Sequence, residues 1–170
     1  MWQPPYDRMM AELASRTNPI TEVPAASSER ALQHFRALLE YETDCWDVHA
    51  AAAAGAGGFV VLDVRSPELF AAGHVPGATN LPHRRINQRN LAGHPGDTLF
   101  VVYCAGPHCN GADRAAVRLA GLGRPVKKMI GGVTGWLDEG FALEREALGA
   151  PPSSATPTLK YDASMEEQRA

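Results

Sequence analysis

Two uninterrupted apolar runs punctuate the middle of the chain. They are Phe59-Val60-Val61-Leu62 and Leu99-Phe100-Val101-Val102-Tyr103, and each meets a chemically distinctive residue at its C-terminal end, Asp63 and Cys104. Runs of this length, rich in β-branched and aromatic residues, predict strands covered on both faces. Val126 to Ile130 is a third strand-like run, though Lys127 and Lys128 interrupt its apolar pattern, and Thr79-Asn80-Leu81 is a short piece between the first two. Around them the apolar spacing changes to three and four. Ala31, Leu32, Phe35, Leu38 and Leu39, opened by Ser28 and Glu29, predict a helix with one buried face. Asp44 to Ala54 predicts a second helix, stopped by Gly55-Ala56-Gly57-Gly58, with Cys45 and Trp46 turned to the core. Ala112, Ala115, Ala116, Leu119 and Leu122 predict a third, closed by Gly123, and Gly131-Gly132 opens a last one carrying Val133, Trp136 and Leu137. Strands alternating with helices imply an α/β fold, a mostly parallel sheet with helices on both faces joined by right-handed crossovers.

Outside this alternation the pattern fades. A short helix over Asp7 to Ser15 is followed by Asn18-Pro19 and Val23-Pro24, read as breaks in regular structure, and the segment from Ala150 is Pro, Ser, Thr and charge without periodicity. The expected organisation is an N-terminal arm (1–27), one domain (28–148) and a mobile tail (149–170).

Composition narrows the function classes. The 170 residues are 45% hydrophobic and 21% charged, an ordinary globular balance. No apolar stretch approaches the ~20 residues of a membrane span. Sixteen basic against 19 acidic side chains, a net charge of -3, without a Lys/Arg block, argue against nucleic acid as a partner. The opening Met-Trp-Gln-Pro-Pro has no secretory pattern, so a cytoplasmic location is expected, where thiols stay reduced. The three cysteines are then core residues, ligands or reactive groups rather than a disulfide framework. Cys45 reads as a small core residue.

Cys104 stands where ligands collect in parallel sheets, at the carboxyl end of a central strand. The loop Ala105-Gly106-Pro107-His108-Cys109-Asn110-Gly111 leads from it into a helix. Curled backbone amides and the positive end of that helix would lower a thiol pKa from roughly 8.5 and favour a thiolate nucleophile. Pro107 removes one amide and stiffens the loop. His108, Arg114 and Arg65 add positive charge and point to an anionic substrate. Asp63 and Arg65 could equally form an ion pair bracing the loop. Cys104, His108 and Cys109 could bind zinc, but no second Cys or His pair completes four ligands, so no metal is expected.

Asp63-Val64-Arg65, Glu68-Leu69-Phe70, Gly73-His74-Val75-Pro76-Gly77-Ala78-Thr79-Asn80-Leu81-Pro82, Val101-Val102-Tyr103-Cys104 and Gly131-Gly132-Val133-Thr134-Gly135-Trp136 occur in this order. Together they resemble the signature elements of the rhodanese (sulfurtransferase) domain over about Ser28 to Leu143. The resemblance implies a five-stranded α/β fold and a cysteine, Cys104, that takes a sulfane sulfur from thiosulfate or a related anionic donor as a persulfide. It passes that sulfur to a thiol or cyanide without a metal or organic cofactor. The implied substrate contacts are Ala105, Gly106, His108, Cys109, Asn110, Gly111, Arg65 and Arg114, with Asp63 in support. Common single-domain members write their loop CxxxxR. Here that spacing begins at Cys109 and ends at Arg114, so the loop after Cys104 is about two residues longer. Cys109 is then a resolving thiol or a loop-packing residue.

Two other readings stand beside this one. An arsenate reductase or phosphatase could use a longer oxyanion loop, but a phosphatase wants CxxxxxR, and Asn110 occupies the position where Cys104 would need Arg. A non-catalytic module sensing sulfur species is the third. His74 reads as a backbone-bonding turn residue, Trp136 as core, and Pro82-His83-Arg84-Arg85 as a solvated basic turn by default, with a place at the pocket mouth as the alternative. The arm and tail leave room for a homodimer.

Overall fold

The computed structural model describes residues 18–145, so the short helix expected over Asp7 to Ser15 and the tail from Ala150 lie outside the described residues. The chain divides into two compact units, Met1–Ala37 and Leu38–Ala170. Within the first, Asn18-Pro19 does not break structure but starts it. Asn18 caps a one-turn helix, α1 (Pro19–Glu22), its side chain accepting from the Ile20 N–H, and Pro19 takes the first-turn position where a missing N–H costs nothing. Helix α2 (Ser28–Tyr41) forms where the three-and-four spacing placed it, but no residue on it is buried. Leu32, Phe35 and Leu39 are exposed, against the expectation of a buried face.

The second unit is built on a five-stranded sheet in the order β1-β5-β4-β2-β3, parallel throughout. Its strands are β1 (Glu42–Thr43), β2 (Phe59–Asp63), β3 (Thr79–Asn80), β4 (Leu99–Tyr103) and β5 (Val126–Met129). The two apolar runs of the sequence are the adjacent central strands β2 and β4, in register from Phe59 opposite Leu99 to Asp63 opposite Tyr103. Two-residue β1 was not foreseen. It is polar, and only its pairing with Lys128 and Met129 makes it a strand.

The period of two sends alternate side chains of β4 to opposite layers. Phe100 and Val102 join Leu62, Ile86, Leu91, Ala112, Ala115 and Leu119 under α5 (Gly111–Gly121). Val101 and Tyr103 join Val61, Cys45, Val48, Trp136 and Phe141 under α3 (Cys45–Ala53) and α6 (Gly132–Asp138). Both faces are covered, as the unbroken apolar strands require. Cys45 is core as expected, but Trp46 is exposed, with its ring against Phe141. Helix α4 (Pro67–Ala72) follows β2, capped by Ser66. Gly123, at φ +72°, ends α5, with the Arg124 N–H closing back on the Leu119 carbonyl. No described helix is long and apolar enough to cross a membrane.

Candidate active site

Cys104 follows the last residue of β4 and is 7% exposed. Its loop is held from the far side. The first amides of α6 are spent on the loop's carbonyls, Val133 N–H on Cys104 O (3.1 Å) and Thr134 N–H on Ala105 O (2.9 Å), with the Thr134 hydroxyl on the same Ala105 oxygen. Helix-initial donors that would otherwise need water thus fix the loop. Gly132, at φ +60°, is required here, since a Cβ would run into the Cys104 carbonyl oxygen. Within the loop, Cys109 N–H donates to Gly106 O, closing a turn that brings Cys109 back over Cys104.

The two cysteines are joined as a disulfide, with Cα atoms 6.2 Å apart. The structure is therefore that of an oxidised form, in which the expected free nucleophile at Cys104 is masked and must be released by reduction. Gly111, the first residue of α5, packs directly on the pair. Its N–H points at Cys109 Sγ (3.4 Å), and a Cβ at this position would lie 2.8 Å from Cys104 Sγ and 3.3 Å from Cys109 Sγ.

Clefts open on both sides of the disulfide. The larger, about 450 Å³, is lined by Cys104, Cys109, Asn110, Gly111 and Arg114 on one wall and by Arg65, His83 and Arg84 on the other. The smaller, about 170 Å³, lies between Gly106, Cys109 and Asp113 on one side and Lys128 and Gly131 on the other. Lys128 is not free there, since its ammonium bridges Asp113 (3.0 Å) and Glu42 (3.2 Å), which hold its pKa above the usual lysine value. The positive charge belongs to the larger cleft. His83 is kept below the ordinary imidazole pKa, first by burial and then by Arg118, Arg84 and Arg114. Its Nδ1 is buried without a hydrogen-bond partner among the described residues.

Arg65 lines this cleft but is largely committed. Its guanidinium pairs with the fully buried Asp63 (Nη2 to Oδ2, 2.5 Å) and donates to the Gly73 carbonyl (2.7 Å), so the bracing ion pair that the sequence left open is present. Asp63 also accepts from the Arg65 N–H. Arg114 and Arg84 are exposed at the cleft rim.

The structure thus brings together Cys104, Cys109, Asn110, Gly111, Arg65 and Arg114, and sets Gly106 on the second cleft. His108 and Ala105 are exposed and line neither cleft: His108 sits within the tight turn from Gly106 to Cys109, and Ala105, before that turn, is tied by its carbonyl to Thr134. His83 and Arg84 take the alternative that the sequence leaves beside a solvated turn, a place at the pocket mouth. Their place on the wall comes from the path after β3, where the His83 N–H bonds Val64 O, a contact across 19 residues that no local pattern signals. His74 is the structural residue expected, stacked on Phe70 with Nδ1 2.9 Å from the Phe70 carbonyl, and Trp136 is buried. Cys45 donates to Ile130 O and Gly132 O, and burial with Asp44, Glu139 and Asp138 nearby pushes its thiol up to about 11, away from nucleophilic use. Among the described residues no three His, Cys, Asp or Glu side chains form a group able to hold a metal.

Comparison with known proteins gives this geometry a context. The model of the rhodanese-like domain family matches residues 48–139. An HTH-type transcriptional regulator of Mycobacterium tuberculosis is 38% identical over 96 residues, which are 56% of this chain and 41% of the regulator. The thiosulfate sulfurtransferase GlpE of Pseudomonas entomophila is 39% identical over 84 residues, 48% of this chain and 72% of the relative. Among solved structures, a Bacillus halodurans protein superposes with a TM-score of 0.68 at 35% identity, covering 70% of this chain and 87% of that one.

Proposed function

Because the chain belongs to the rhodanese-like domain family, we propose that it is a sulfurtransferase in which reduced Cys104 accepts the outer sulfur of thiosulfate or a related anionic donor. The observation that carries this reading is the placement of Cys104. It lies at the carboxyl end of the central strand β4, in a loop pinned by α6 and opening on a cleft with Arg84 and Arg114 at its rim.

The steps balance simply. The Cys104 thiolate attacks the sulfane sulfur, the S–S bond of thiosulfate breaks, and sulfite leaves with the electron pair. Cys104 is left as a persulfide anion, which a thiolate or cyanide then attacks at its outer sulfur, restoring the Cys104 thiolate. The N-terminal end of α5, with the Gly111 N–H already turned to sulfur, supplies donors where negative charge rests and develops. Arg114 and Arg84 draw in the dianion, while Arg65, held by Asp63, fixes the cleft wall. No metal or organic cofactor enters these steps.

The test is mass spectrometry of the reduced Cys109→Ser variant after thiosulfate treatment, which leaves no second thiol beside Cys104 to consume the adduct. A gain of ~32 Da on the Cys104 peptide, removed by cyanide and absent in Cys104→Ser, is the expected result, 32 Da being the mass of one sulfur added in persulfide formation. No adduct on this variant from thiosulfate, polysulfide or mercaptopyruvate would remove the enzyme reading, whereas an adduct that neither cyanide nor a thiol discharges would leave the sulfur-sensing one. The similarity to a transcriptional regulator favours that second reading. In it the same cysteine chemistry would report sulfur or redox state to a partner rather than turn over.

A further inference from the structure

We propose that Cys109 is a catalytic residue that resolves the Cys104 persulfide, so that the protein releases its sulfur as hydrogen sulfide and is reset by a dithiol reductant. The inference rests on the sulfurtransferase reading and concerns the second half of that reaction. Its basis is geometric. Cys109 lies five residues after Cys104, and the Gly106–Cys109 turn returns it over the nucleophile, with the Cα atoms at 6.2 Å and the sulfurs bonded. That separation falls within the 4.4–6.8 Å range typical of disulfides, so backbone rearrangement is not needed for the two sulfurs to meet.

Two further features suit Cys109 to attack. The Gly111 N–H, at the start of α5, points at Cys109 Sγ and would stabilise it as a thiolate. Cys109 also borders both clefts, so a sulfur atom expelled from Cys104 has open space beside it. Cys45 cannot take this part, because its thiol is buried, bonded to Ile130 O and Gly132 O, and strongly disfavoured as a thiolate.

In the step itself, the Cys109 thiolate attacks the inner sulfur of the persulfide, Cys104 Sγ. The bond to the outer sulfur breaks and that sulfur leaves as HS⁻, taking the electron pair and the proton given up by the Cys109 thiol. The product is the Cys104–Cys109 disulfide seen in the structure. The two thiols are oxidised by the sulfane sulfur, which is reduced to sulfide, so no other oxidant is required. A dithiol then exchanges with the disulfide through a mixed disulfide and returns both cysteines as thiols. Over the cycle one thiosulfate and one dithiol yield sulfite, sulfide, a proton and the oxidised dithiol.

The test is a single turnover without acceptor. The full chain is reduced, freed of reductant under anaerobic conditions and given one equivalent of thiosulfate, and sulfite, sulfide and the Cys104 and Cys109 peptides are followed. The expected result is about one sulfite and one sulfide per chain, with the two peptides linked. Cys109→Ser and Cys109→Ala are expected to release sulfite, hold the ~32 Da adduct on Cys104 until cyanide is added, and yield at least ~10-fold less sulfide. A wild-type protein that keeps its persulfide and releases sulfide only when a thiol is added overturns the proposal while leaving sulfur transfer intact. Absence of sulfite from wild type and variants alike overturns the sulfurtransferase reading and this one with it.

Discussion

Substituting Gly111 by alanine separates the reactive centre from the fold. The added methyl would sit 2.8 Å from Cys104 Sγ, 3.3 Å from Cys109 Sγ and 3.5 Å from Cys104 Cβ. Ordinary contact lies near 3.5–4.0 Å, so in the disulfide form Cys104 Sγ must move by about 0.7–1.2 Å. Overpacking of this kind costs ~1–3 kcal/mol. The backbone does not object, because Gly111 opens α5 without a positive φ, and alanine is the better helix former by ~0.5–1 kcal/mol. The net loss of stability is then ~0–2.5 kcal/mol, a Tm reduction of up to about 10 °C for a chain of this size. A displacement of ~1 Å at the reacting atom, by contrast, can cost ~100-fold in rate. The assay is thiocyanate formation from thiosulfate and cyanide by pre-reduced protein, run beside a thermal melt. Gly121→Ala, in the same helix with nothing within 4 Å of the new methyl, is the control and should keep its rate with an equal or higher Tm. A Gly111→Ala protein that folds and works within 2-fold of wild type would refute the claim that glycine is there to let the sulfurs approach the helix.

Other outcomes follow from the surrounding contacts. Asp63→Ala leaves the Arg65 guanidinium, 8% exposed, without its carboxylate and is expected to lower unfolding free energy by ~3–5 kcal/mol in urea titration; a loss below ~1 kcal/mol would mean that the pair braces nothing. Arg114→Ala and Arg84→Ala should each raise KM for thiosulfate ~3–10-fold with a smaller effect on kcat, and the wild-type KM should rise with salt, since these charges meet water. A salt-independent KM would argue against electrostatic capture. For Cys45, the folded thiol ionises near 11 rather than 9, so between these values the unfolded chain binds fewer protons than the folded one. Stability therefore falls as pH rises from about 9 to about 11, and in Cys45→Ala that part of the alkaline slope should vanish from denaturation midpoints.

The parts of the molecule that could be read from the chain are those set by near neighbours. The β2 and β4 runs are apolar enough to be strands in any buried setting, and Gly123 closes α5 by its own backbone preference. The place of Cys104 at the end of β4 was legible because a strand, a cysteine and a glycine-bearing loop stand next to one another. The failures share a different origin. Glu42-Thr43 is a strand only because Lys128 and Met129 pair with it, and His83 joins the cleft wall only because Val64 accepts its N–H. Asn18-Pro19 carries two meanings, since proline ends one helix and begins another. The apolar spacing of α2 specified a helix correctly, yet spacing cannot say whether a face is covered. His108 was assigned to the site by proximity in sequence, and the turn that brings Cys109 inward is what carries His108 outward.

The dependence of the Cys104 loop on amides from α6 also bears on biosynthesis. Ala105 waits 29 residues for Thr134. At ~5–20 residues per second, a ribosome takes about 1.5–6 s to add them. Through that interval the nascent chain carries its thiols on a loop with no seat, and the loop is pinned only after the last strand has been made.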